Sequence, residues 1–544
     1  MNSQRNLLLI ALVFVSFLLF QQWQKEYYPT AQPQQTTLPA TTDAAADLPL
    51  STATAPPLLS TSHANHWITV RSDLLAVTID PLGGDIIQAQ LLAYPRSLKD
   101  PRPLNLLEHS QSFLYQAQSG LIGPQGPDSQ TTGRPLYQAS QQHYQLTEAQ
   151  DSVEVPLVYR NEQGVEFRKT FVLRRGDYAL EVRYHIDNTS TQPICFQLFG
   201  QLKQSVDLPK ARDKGHFALQ TYRGAAYSTS ENRYQKYSFS DLKKTDLACS
   251  TQRGWVALLQ QYFVAAWIPE ENHPYQFYTK NLPHHQQALI GFQGEPITLL
   301  PGQQQTLQAK LWLGPELQEK MATVAKYLDL TVDYGWLWFI SQPLFKLLKF
   351  LHRFVGNWGA AILCITFVVR GLLYPLTKAQ YTAMAKMRLL QPKLLAMRER
   401  CGDDRQRLSR EMMELYKRER VNPLGGCLPL LVQMPIFLAL YWMLMGSVEL
   451  RHAPFIGWIH DLSAPDPYYV LPLLMGLSMF LIQKMSPSPV TDPMQQKVMT
   501  FMPAIFTVFF LWFPSGLVLY YVMSNLMTLL QQKLIMHQLD KKGL

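Results

Sequence analysis

The C-terminal third of this 544-residue chain contains apolar runs that are typical of membrane-spanning segments. Residues 436–445 (IFLALYWMLM) and 504–513 (AIFTVFFLWF) contain no charged side chain. The first 330 or so residues are polar, so the mean hydropathy of −0.10 averages two unlike parts. We therefore predict a membrane-embedded C-terminal region that follows a polar domain.

The N-terminus has one positive charge, on Arg5, and a short apolar run at residues 7–20. Residues 20–25 are bulky or polar, whereas a cleavage site requires small residues. We predict an uncleaved anchor with a cytoplasmic N-terminus; a cleaved signal peptide is the alternative. The following stretch is rich in Pro, Thr and Ala, which predicts a flexible linker.

From residue 67 onward the sequence contains runs that are typical of β-strands. Residues 166–173 and 178–186 flank an Arg-Gly-Asp turn at 175–177, which predicts a hairpin. Strand-like runs recur at 254–259, 262–268 and 306–313. Many strands with few helices predict a large antiparallel β-sandwich.

Further apolar spans follow the β-rich region and predict transmembrane helices. They cover residues 354–374, 425–446, 469–483, 498–513 and 517–535, the last two joined by a tight turn. Before them, a helix has polar residues on one side (Gln342, Lys346, Lys349, Arg353) and leucines on the other. This pattern is typical of a helix in the membrane interface; packing on the polar domain is the alternative.

The charge distribution predicts the topology. Residues 376–423 contain twelve basic and six acidic side chains, whereas residues 447–467 contain one and three. The positive-inside rule places the basic segment in the cytoplasm, and six spans then put both termini in the cytoplasm and the β domain outside.

The basic segment predicts an antiparallel helical hairpin with a turn at residues 401–404. Its charged faces suit ribosomal RNA, anionic lipid or a protein partner, or are simply solvated. The candidate residues are Lys378, Lys386, Arg388, Arg398, Arg400, Arg405 and Arg407.

Arg370 lies inside an apolar span, where a guanidinium costs about 2.5–3.5 kcal/mol on insertion scales. The apolar stretches of spans two to six contain no Asp or Glu to pair with it. We predict that Arg370 lines a hydrophilic groove; snorkelling to the cytoplasmic surface is the alternative. The other candidate groove residues are Thr366, Gln433, Ser524 and Tyr521, although such polar residues also serve as ordinary interhelical hydrogen-bonding groups.

The sequence has no motif for catalysis or for holding a cofactor. It lacks a Walker glycine loop, His-Glu-x-x-His and Gly-x-Ser-x-Gly. Its five cysteines are too scattered for a disulfide framework or a metal site, and a Cys195–Cys249 pair stays open. We expect no enzyme activity, cofactor, metal or DNA binding.

Four motifs resemble the YidC/Oxa/Alb family of membrane protein insertases. They are residues 370–376 (RGLLYPL), 422–437 (NPLGGCLPLLVQMPIF), 492–497 (DPMQQK) and 512–516 (WFPSG). Residues 2–8 and the large external domain further resemble the Gram-negative bacterial form of this family.

The resemblance implies an insertase and chaperone in the bacterial inner membrane, with a five-helix core around a groove open to the cytoplasm and lipid. Arg370 would attract hydrophilic parts of nascent membrane proteins. The periplasmic domain would be a β-supersandwich similar to sugar mutarotases. The implied partners are the SecYEG translocon and SecDF, with the ribosome as a further candidate, although the short C-terminal tail puts tail-mediated docking in doubt.

Two other functions stay open on the residues alone: a transporter or channel, and an external sugar-binding or sugar-converting domain anchored by helices. The resemblance favours the insertase. The expected organisation is an anchor (1–25), a linker (26–62), a periplasmic β domain (63–333), an interfacial helix (334–353), span two (354–375), a cytoplasmic hairpin (376–423), and spans three to six with a short tail (424–544).

Overall fold

The computed structural model describes residues 66–110, 112–130, 133–208, 222–271, 273–282, 286–401, 405–419, 428–485 and 493–541. The expected anchor (1–25) and linker (26–62) lie outside these residues. Strands dominate up to Pro315, and helices dominate from there to Asp540.

Twenty strands form in the described residues. The first ten are β1 (Ile68–Arg71), β2 (Leu75–Asp80), β3 (Asp85–Ser97), β4 (Asp100–His109), β5 (Leu114–Ile122), β6 (Gln138–Ala139), β7 (His143–Gln145), β8 (Ser152–Arg160), β9 (Glu166–Arg174) and β10 (Ala179–Asp187). The others are β11 (Ile194–Ser205), β12 (Gly224–Ser228), β13 (Gln235–Ser238), β14 (Ala248–Thr251), β15 (Trp255–Gln260), β16 (Phe263–Pro269), β17 (Tyr275–Leu282), β18 (Gln287–Gly294), β19 (Ile297–Leu299) and β20 (Gln304–Pro315).

The strands build two large sheets. One has eleven strands in the order β14-β17-β18-β11-β5-β4-β3-β2-β1-β7, with β19 beside β11, and the other has nine in the order β13-β12-β15-β16-β20-β10-β9-β8-β6. Apolar side chains alternate with polar ones, as in β10, and the buried set includes Trp255, Trp267 and Trp312. The expected hairpin is confirmed, because β9 and β10 pair antiparallel around Gly176, whose φ is 71°. The predicted β-sandwich is thus confirmed.

A buried ionic network connects the two sheets. Lys169 on β9 is fully buried. Its ammonium donates to the carbonyl oxygens of Gly83 (3.1 Å), between β2 and β3, and of Ser119 (2.9 Å), on β5, all of which belong to the eleven-stranded sheet. Arg134 pairs with Asp85 and, at 2.8 Å, with Asp128. Burial of Lys169 lowers its pKa to about 7. Because buried charges are costly unless paired, this network favours one alignment of the sheets.

Ten α-helices form in the described residues. They are α1 (Phe239–Leu242), α2 (Gln318–Val324), α3 (Trp338–Val355), α4 (Trp358–Leu372), α5 (Tyr374–Cys401), α6 (Arg405–Arg418), α7 (Leu428–Gly446), α8 (Val470–Met485), α9 (Pro493–Phe510) and α10 (Ser515–Asp540).

One predicted helix boundary was wrong. After α2, Tyr327 adopts a left-handed φ of 67° and a 3₁₀ turn (Leu328–Thr331) follows, before α3 begins at Trp338. The second span begins at Trp358 rather than 354, since α3 continues to Val355 and ends at Gly356, with a φ of 69°. Asn357 then caps α4 by accepting a hydrogen bond from the backbone N–H of Ala360 (3.0 Å).

The predicted amphipathic helix is α3, and it packs on α4 and α7. Its buried residues are Ser341, Phe345 and Leu348, whereas Trp338 and Phe354 are 60% and 73% exposed. An ion pair of Lys349 with Glu319 on α2, at 3.0 Å, also links α3 to the polar domain.

The helical part packs around α10, which contacts α4, α5 and α8, while α9 packs on α8. No described helix is by itself both long and apolar enough to qualify as a membrane crossing, but α4 together with residues Tyr374–Ala383, bent by 58°, meets that test as a pair. The apolar segments Gln433–Gly446, Val470–Met485 and Thr500–Phe510 are shorter. The number of six spans therefore stays a prediction.

The loop after α7 joins the helices to the β domain. Val448 is buried in the β-domain core. Arg451 donates to the carbonyl oxygens of Pro95 (2.9 Å) and Arg96 (3.1 Å), and its guanidinium lies 5.4 Å from the centre of the Phe263 ring. The β domain is thus held on the same loop that connects α7 to α8.

We expect the buried Lys169 to make the β domain more stable as the pH rises from 7 to 9. The unfolded lysine stays protonated up to about pH 10.5, whereas the folded one loses its proton near pH 7. Over this window the unfolded state binds the extra proton, so the free energy of unfolding rises by up to about 1.4 kcal/mol per pH unit. Urea titrations of the full chain, followed by tryptophan fluorescence, measure this slope.

Lys169→Met should lose this part of the slope, whereas Lys310→Met, at an exposed position on β20, should keep it. An equal slope in wild type and Lys169→Met would contradict the prediction.

Candidate functional site

Arg370 lies two residues before the end of α4 and turns into the helical bundle. Its Nε donates to the hydroxyl oxygen of Ser524 on α10 at 2.8 Å, and its Nη2 donates to the same oxygen. The side chain of Gln531, two turns further along α10, donates to the Arg370 carbonyl oxygen at 3.1 Å. The guanidinium is thus bound to a neighbouring helix rather than extended along its own helix to the surface.

Three tyrosines lie near this guanidinium. Tyr381 on α5 and Tyr520 and Tyr521 on α10 all lie within electrostatic reach of Arg370. Within the described part of the chain, Arg370 makes no ion pair with a carboxylate. The positive charge is therefore solvated by hydroxyl dipoles, and it stays available to a negatively charged group.

Some of the other predicted groove residues lie at this pocket, and one of them bonds within its own helix. Gln433, half-buried on α7, lies beside the Tyr520 hydroxyl, as does Ser524. Thr366 is fully buried, and its hydroxyl donates to the Ile362 carbonyl oxygen of its own helix at 2.6 Å. Arg370, Ser524, Tyr521 and Gln433 thus lie together, whereas the Thr366 hydroxyl is occupied within α4.

Sequence reasoning missed Tyr381 and Tyr520. Tyr520 is almost fully buried, and the Tyr381 hydroxyl donates to Gln532 at 3.4 Å. Tyr381 belongs to the segment predicted as a cytoplasmic hairpin, and no sequence signal placed it beside Arg370. Tyr520 is adjacent in sequence to Tyr521, which is the only signal that pointed to it.

An aromatic layer closes one side of the pocket. Its members are Phe437 and Tyr441 on α7, Phe510 at the end of α9, Phe513 in the turn that follows, and Tyr521 on α10. The ring centre of Tyr521 lies 4.8 Å from that of Phe437 and 5.1 Å from that of Phe510. Tyr521 therefore places its apolar ring in this layer while lying close to Arg370.

The loop between α7 and α8 covers the end of the bundle beyond the aromatic layer. Ser515 donates from its N–H (2.8 Å) and its hydroxyl (2.7 Å) to the carbonyl oxygen of Ala464, and the N–H of Gly516 donates to that of Leu462 (2.9 Å). Asn357 donates to the carbonyl oxygens of Pro454 and Phe455 on the same loop. At about 1.5 Å per residue, Arg370 lies about 20 Å along α4 from this covered end.

The expected hairpin appears as α5 and α6, with its turn outside the described residues. Lys378, Arg400 and Arg407 are exposed and Lys386 is partly exposed; Arg407 pairs with Glu411 at 2.9 Å. The side chains of Arg388, Arg398 and Arg405 lie outside the described residues. Ala385 on α5 packs against Ile535 and Leu539 on α10, so the base of the hairpin borders the Arg370 pocket.

No metal site is present in the described part of the chain, since no three His, Cys, Asp or Glu residues there are grouped to hold an ion. Cys195, Cys249 and Cys364 are free thiols, so the Cys195–Cys249 bond that the sequence left open does not form.

Two protein-family models match the chain. Residues 67–347 match the model of the YidC periplasmic domain, and residues 350–542 match that of the 60Kd inner membrane protein. A solved structure described as an active YidC insertase, with its first transmembrane domain resolved, has 18% sequence identity and a TM-score of 0.38, covering 88% of this chain and 93% of its own.

Solved structures of mutarotase-like proteins also match part of the chain. A galactose mutarotase related enzyme from Lactobacillus acidophilus has 12% identity and a TM-score of 0.31, covering 45% of this chain and 97% of its own. A galactose mutarotase-like protein from Lactobacillus casei has 12% identity and a TM-score of 0.33, covering 45% and 99%. These structural scores are too low to support a functional assignment, which rests on the two family models.

Close packing between α8 and α9 depends on Gly476. A Cβ at this position would collide with the Thr507 side chain on α9. We therefore expect Gly476→Ala to destabilise the helical part by about 1–3 kcal/mol. Thermal unfolding of the purified chain in detergent measures the effect.

Gly371→Ala is the matched control, because no atom lies within 4 Å of a Cβ there. It should leave the melting temperature unchanged or raise it, since alanine favours a helix. Equal losses in the two variants would contradict close packing at Gly476.

Proposed function

The chain belongs to the YidC/60Kd inner membrane protein family, whose members are membrane protein insertases rather than enzymes, and we propose that its substrates enter through the polar pocket around Arg370. The observation that carries this proposal is the guanidinium itself: it is held by Ser524 inside an apolar bundle, with no ion pair in the described residues. The family supports a location in the inner membrane and nascent membrane proteins as substrates.

The proposed topology follows from charge and helix order. The β domain lies in the periplasm, together with the α7–α8 loop on which it is held, and the α5–α6 hairpin and both termini lie in the cytoplasm. Six membrane spans are needed, of which the first is the N-terminal anchor. The proposed domain boundaries are those expected from the sequence, except that the interfacial helix extends to Val355 and the second span begins at Trp358.

In the proposed mechanism, the hydrophilic end of a nascent segment first occupies the Arg370 pocket. An acidic side chain there would pair with the guanidinium in place of water or lipid phosphate. The aromatic layer and the α7–α8 loop keep the pocket closed on the periplasmic side until the segment moves on. The pocket thus shortens the distance over which a polar chain crosses hydrocarbon.

The apolar part of the substrate would then move into lipid along α8 and α9. Their exposed surfaces are apolar, with Leu473, Leu477, Ile505 and Val508 each at least half exposed. At 16 and 18 residues these helices measure about 24 and 27 Å, less than a hydrocarbon core of about 30 Å. Local thinning lowers the barrier, and each buried CH₂ contributes about 0.8 kcal/mol.

Partners beyond the substrate are proposed from the family resemblance. The chain would act alone on small substrates and with the SecYEG translocon and SecDF on larger ones, where it also serves as a chaperone. The exposed basic residues of α5 and α6 are the proposed contact for the ribosome. No motif in the sequence calls for a nucleotide. The membrane potential would assist an acidic translocated tail by about 2.3 kcal/mol per charge per 100 mV.

Replacement of Arg370 tests the proposal directly. In proteoliposomes, we expect Arg370→Ala to reduce insertion of a single-span protein with an acidic translocated tail about 10- to 100-fold, since a charged hydrogen bond contributes about 1.5–3 kcal/mol. Arg370→Lys should retain part of the activity, because it keeps the charge. Protease protection of the translocated tail measures insertion.

Arg353→Ala removes an exposed arginine on α3 and is the control. If both alanine variants insert the substrate as well as wild type does, the pocket does not receive substrate. The proposal also fails if wild type inserts no more than empty liposomes do.

Ser524→Ala tests whether the position of the guanidinium matters as well as its charge. Without the Ser524 hydroxyl, the Arg370 guanidinium loses the acceptor of both of its hydrogen bonds to α10. We expect insertion to fall about 2- to 10-fold, corresponding to about 0.5–1.5 kcal/mol for one net hydrogen bond.

Thr528→Ala is the control for this variant, because the Thr528 hydroxyl donates only to the Ser524 carbonyl oxygen of its own helix. It should insert substrate like wild type. Equal losses in both variants would mean that α10 is disturbed in general.

A further inference from the structure

A cavity of about 290 Å³ lies at one end of the β domain, far in sequence from the Arg370 pocket. Its walls come from the turn between β12 and β13, the start of β15, the end of β16, and the connection between α2 and α3. A cavity of this volume holds several water molecules and is large enough for a small polar ligand.

Three cations line this cavity without a carboxylate partner. Arg233, Arg253 and Lys326 are all exposed, and none of them makes an ion pair in the described residues. Two carboxylates, Glu231 and Glu271, line the same cavity, also without an ion pair there. Three positively charged and two negatively charged side chains thus line the cavity, which leaves a net charge of +1.

The backbone around the cavity is strained and tightly packed. Tyr327 has a φ of 67°, a left-handed conformation that costs a non-glycine residue about 1–2 kcal/mol. Its ring lies 5.0 Å from the Lys326 ammonium and 5.7 Å from the Arg233 guanidinium, so it holds both cations at the rim. The Trp255 indole N–H donates to the Lys326 carbonyl oxygen at 3.2 Å. Strain of this kind is retained where the surroundings hold it in place.

The position of the cavity relates it to the membrane. Tyr327 belongs to the connection that leads into α3, whose exposed aromatic residues include Trp338 and Phe339. Lys236 on β13 pairs with Asp333 in the same connection. The cavity therefore lies on the side of the β domain from which the chain enters the helical part.

We propose that this cavity binds a phosphate group on a molecule that also carries hydrogen-bond donors, such as the headgroup of a phospholipid. Arginine presents planar pairs of N–H groups that match phosphate oxygens, and Lys326 adds a third positive charge. Glu231 and Glu271 accept hydrogen bonds from an ammonium or hydroxyl group on the same ligand. This binding is separate from the insertion activity proposed above.

Isothermal titration calorimetry on the full-length protein in detergent tests the proposal. The probes are tail-free glycerophosphoethanolamine and glycerophosphoglycerol, with inorganic phosphate as a third. We expect wild type to bind the headgroups, and Arg233→Gln/Arg253→Gln to bind them at least about tenfold more weakly. Arg71→Gln/Lys99→Gln, which removes two exposed charges of the same domain outside the cavity, should bind like wild type.

Glu271→Gln separates a binding role from a structural one. It should weaken binding of glycerophosphoethanolamine and strengthen binding of inorganic phosphate, a pair of opposite changes that loss of folding cannot produce. Equal affinities in the two double variants, or no binding by wild type, would overturn the proposal.

The phosphate group could belong to a membrane lipid or to a soluble molecule, and the two sources predict different amounts of bound lipid. A membrane source predicts that native mass spectrometry finds one fewer bound phosphatidylglycerol on Arg233→Gln/Arg253→Gln than on the control. A soluble source predicts equal lipid counts on the two variants, while the tail-free headgroups still bind more weakly to Arg233→Gln/Arg253→Gln.

Discussion

The packing of the helical part depends on keeping the charge of Arg370 solvated inside an apolar bundle. Ser524 accepts two N–H groups of the guanidinium, and Gln531 donates to the backbone carbonyl of the same residue. These contacts join α4 to α10, and α10 in turn contacts α5 and α8. A polar pocket therefore exists where a continuous apolar core would otherwise form, and it coincides with the proposed entry site for substrate.

Aromatic rings separate this pocket from the α7–α8 loop. Tyr521 belongs to both regions, because its ring packs in the aromatic layer while it lies near Arg370. The loop beyond the layer also carries Val448 and Arg451, which contact the β domain. This loop thus contacts both the large domain and the covered end of the bundle, so a force on the domain would act on the cover of the pocket.

The β domain has its own internal constraint in the Lys169 network. Lys169, Arg134, Asp85 and Asp128 form a buried charged cluster that joins the two sheets. Such a network adds little net stability but discriminates between alternative alignments. The basic cavity lies elsewhere in the domain and is lined by exposed charges without ion pairs in the described residues, an arrangement that suits a ligand rather than the fold.

Local patterns in the sequence were sufficient to predict much of this protein. Strand-like runs on both sides of an Arg-Gly-Asp turn predicted β9 and β10. An apolar run that contains one cation identified α4 and Arg370. Apolar residues at helical spacing predicted α5 and α6. These features follow from the period of a strand or a helix and from the cost of burying charge, which neighbouring residues determine. The family motifs, one of which begins at Arg370, then predicted the insertase function.

Only the tertiary structure decided which polar groups meet. Ser524 lies 154 residues from Arg370 and accepts its hydrogen bonds, whereas Thr366, one turn away on the same helix, bonds to its own backbone. The Lys169 network and the cavity beside Tyr327 likewise join residues from distant strands and turns. Such pairings depend on how helices and sheets pack and rotate against one another, and a single sequence does not specify that arrangement through local periodicity.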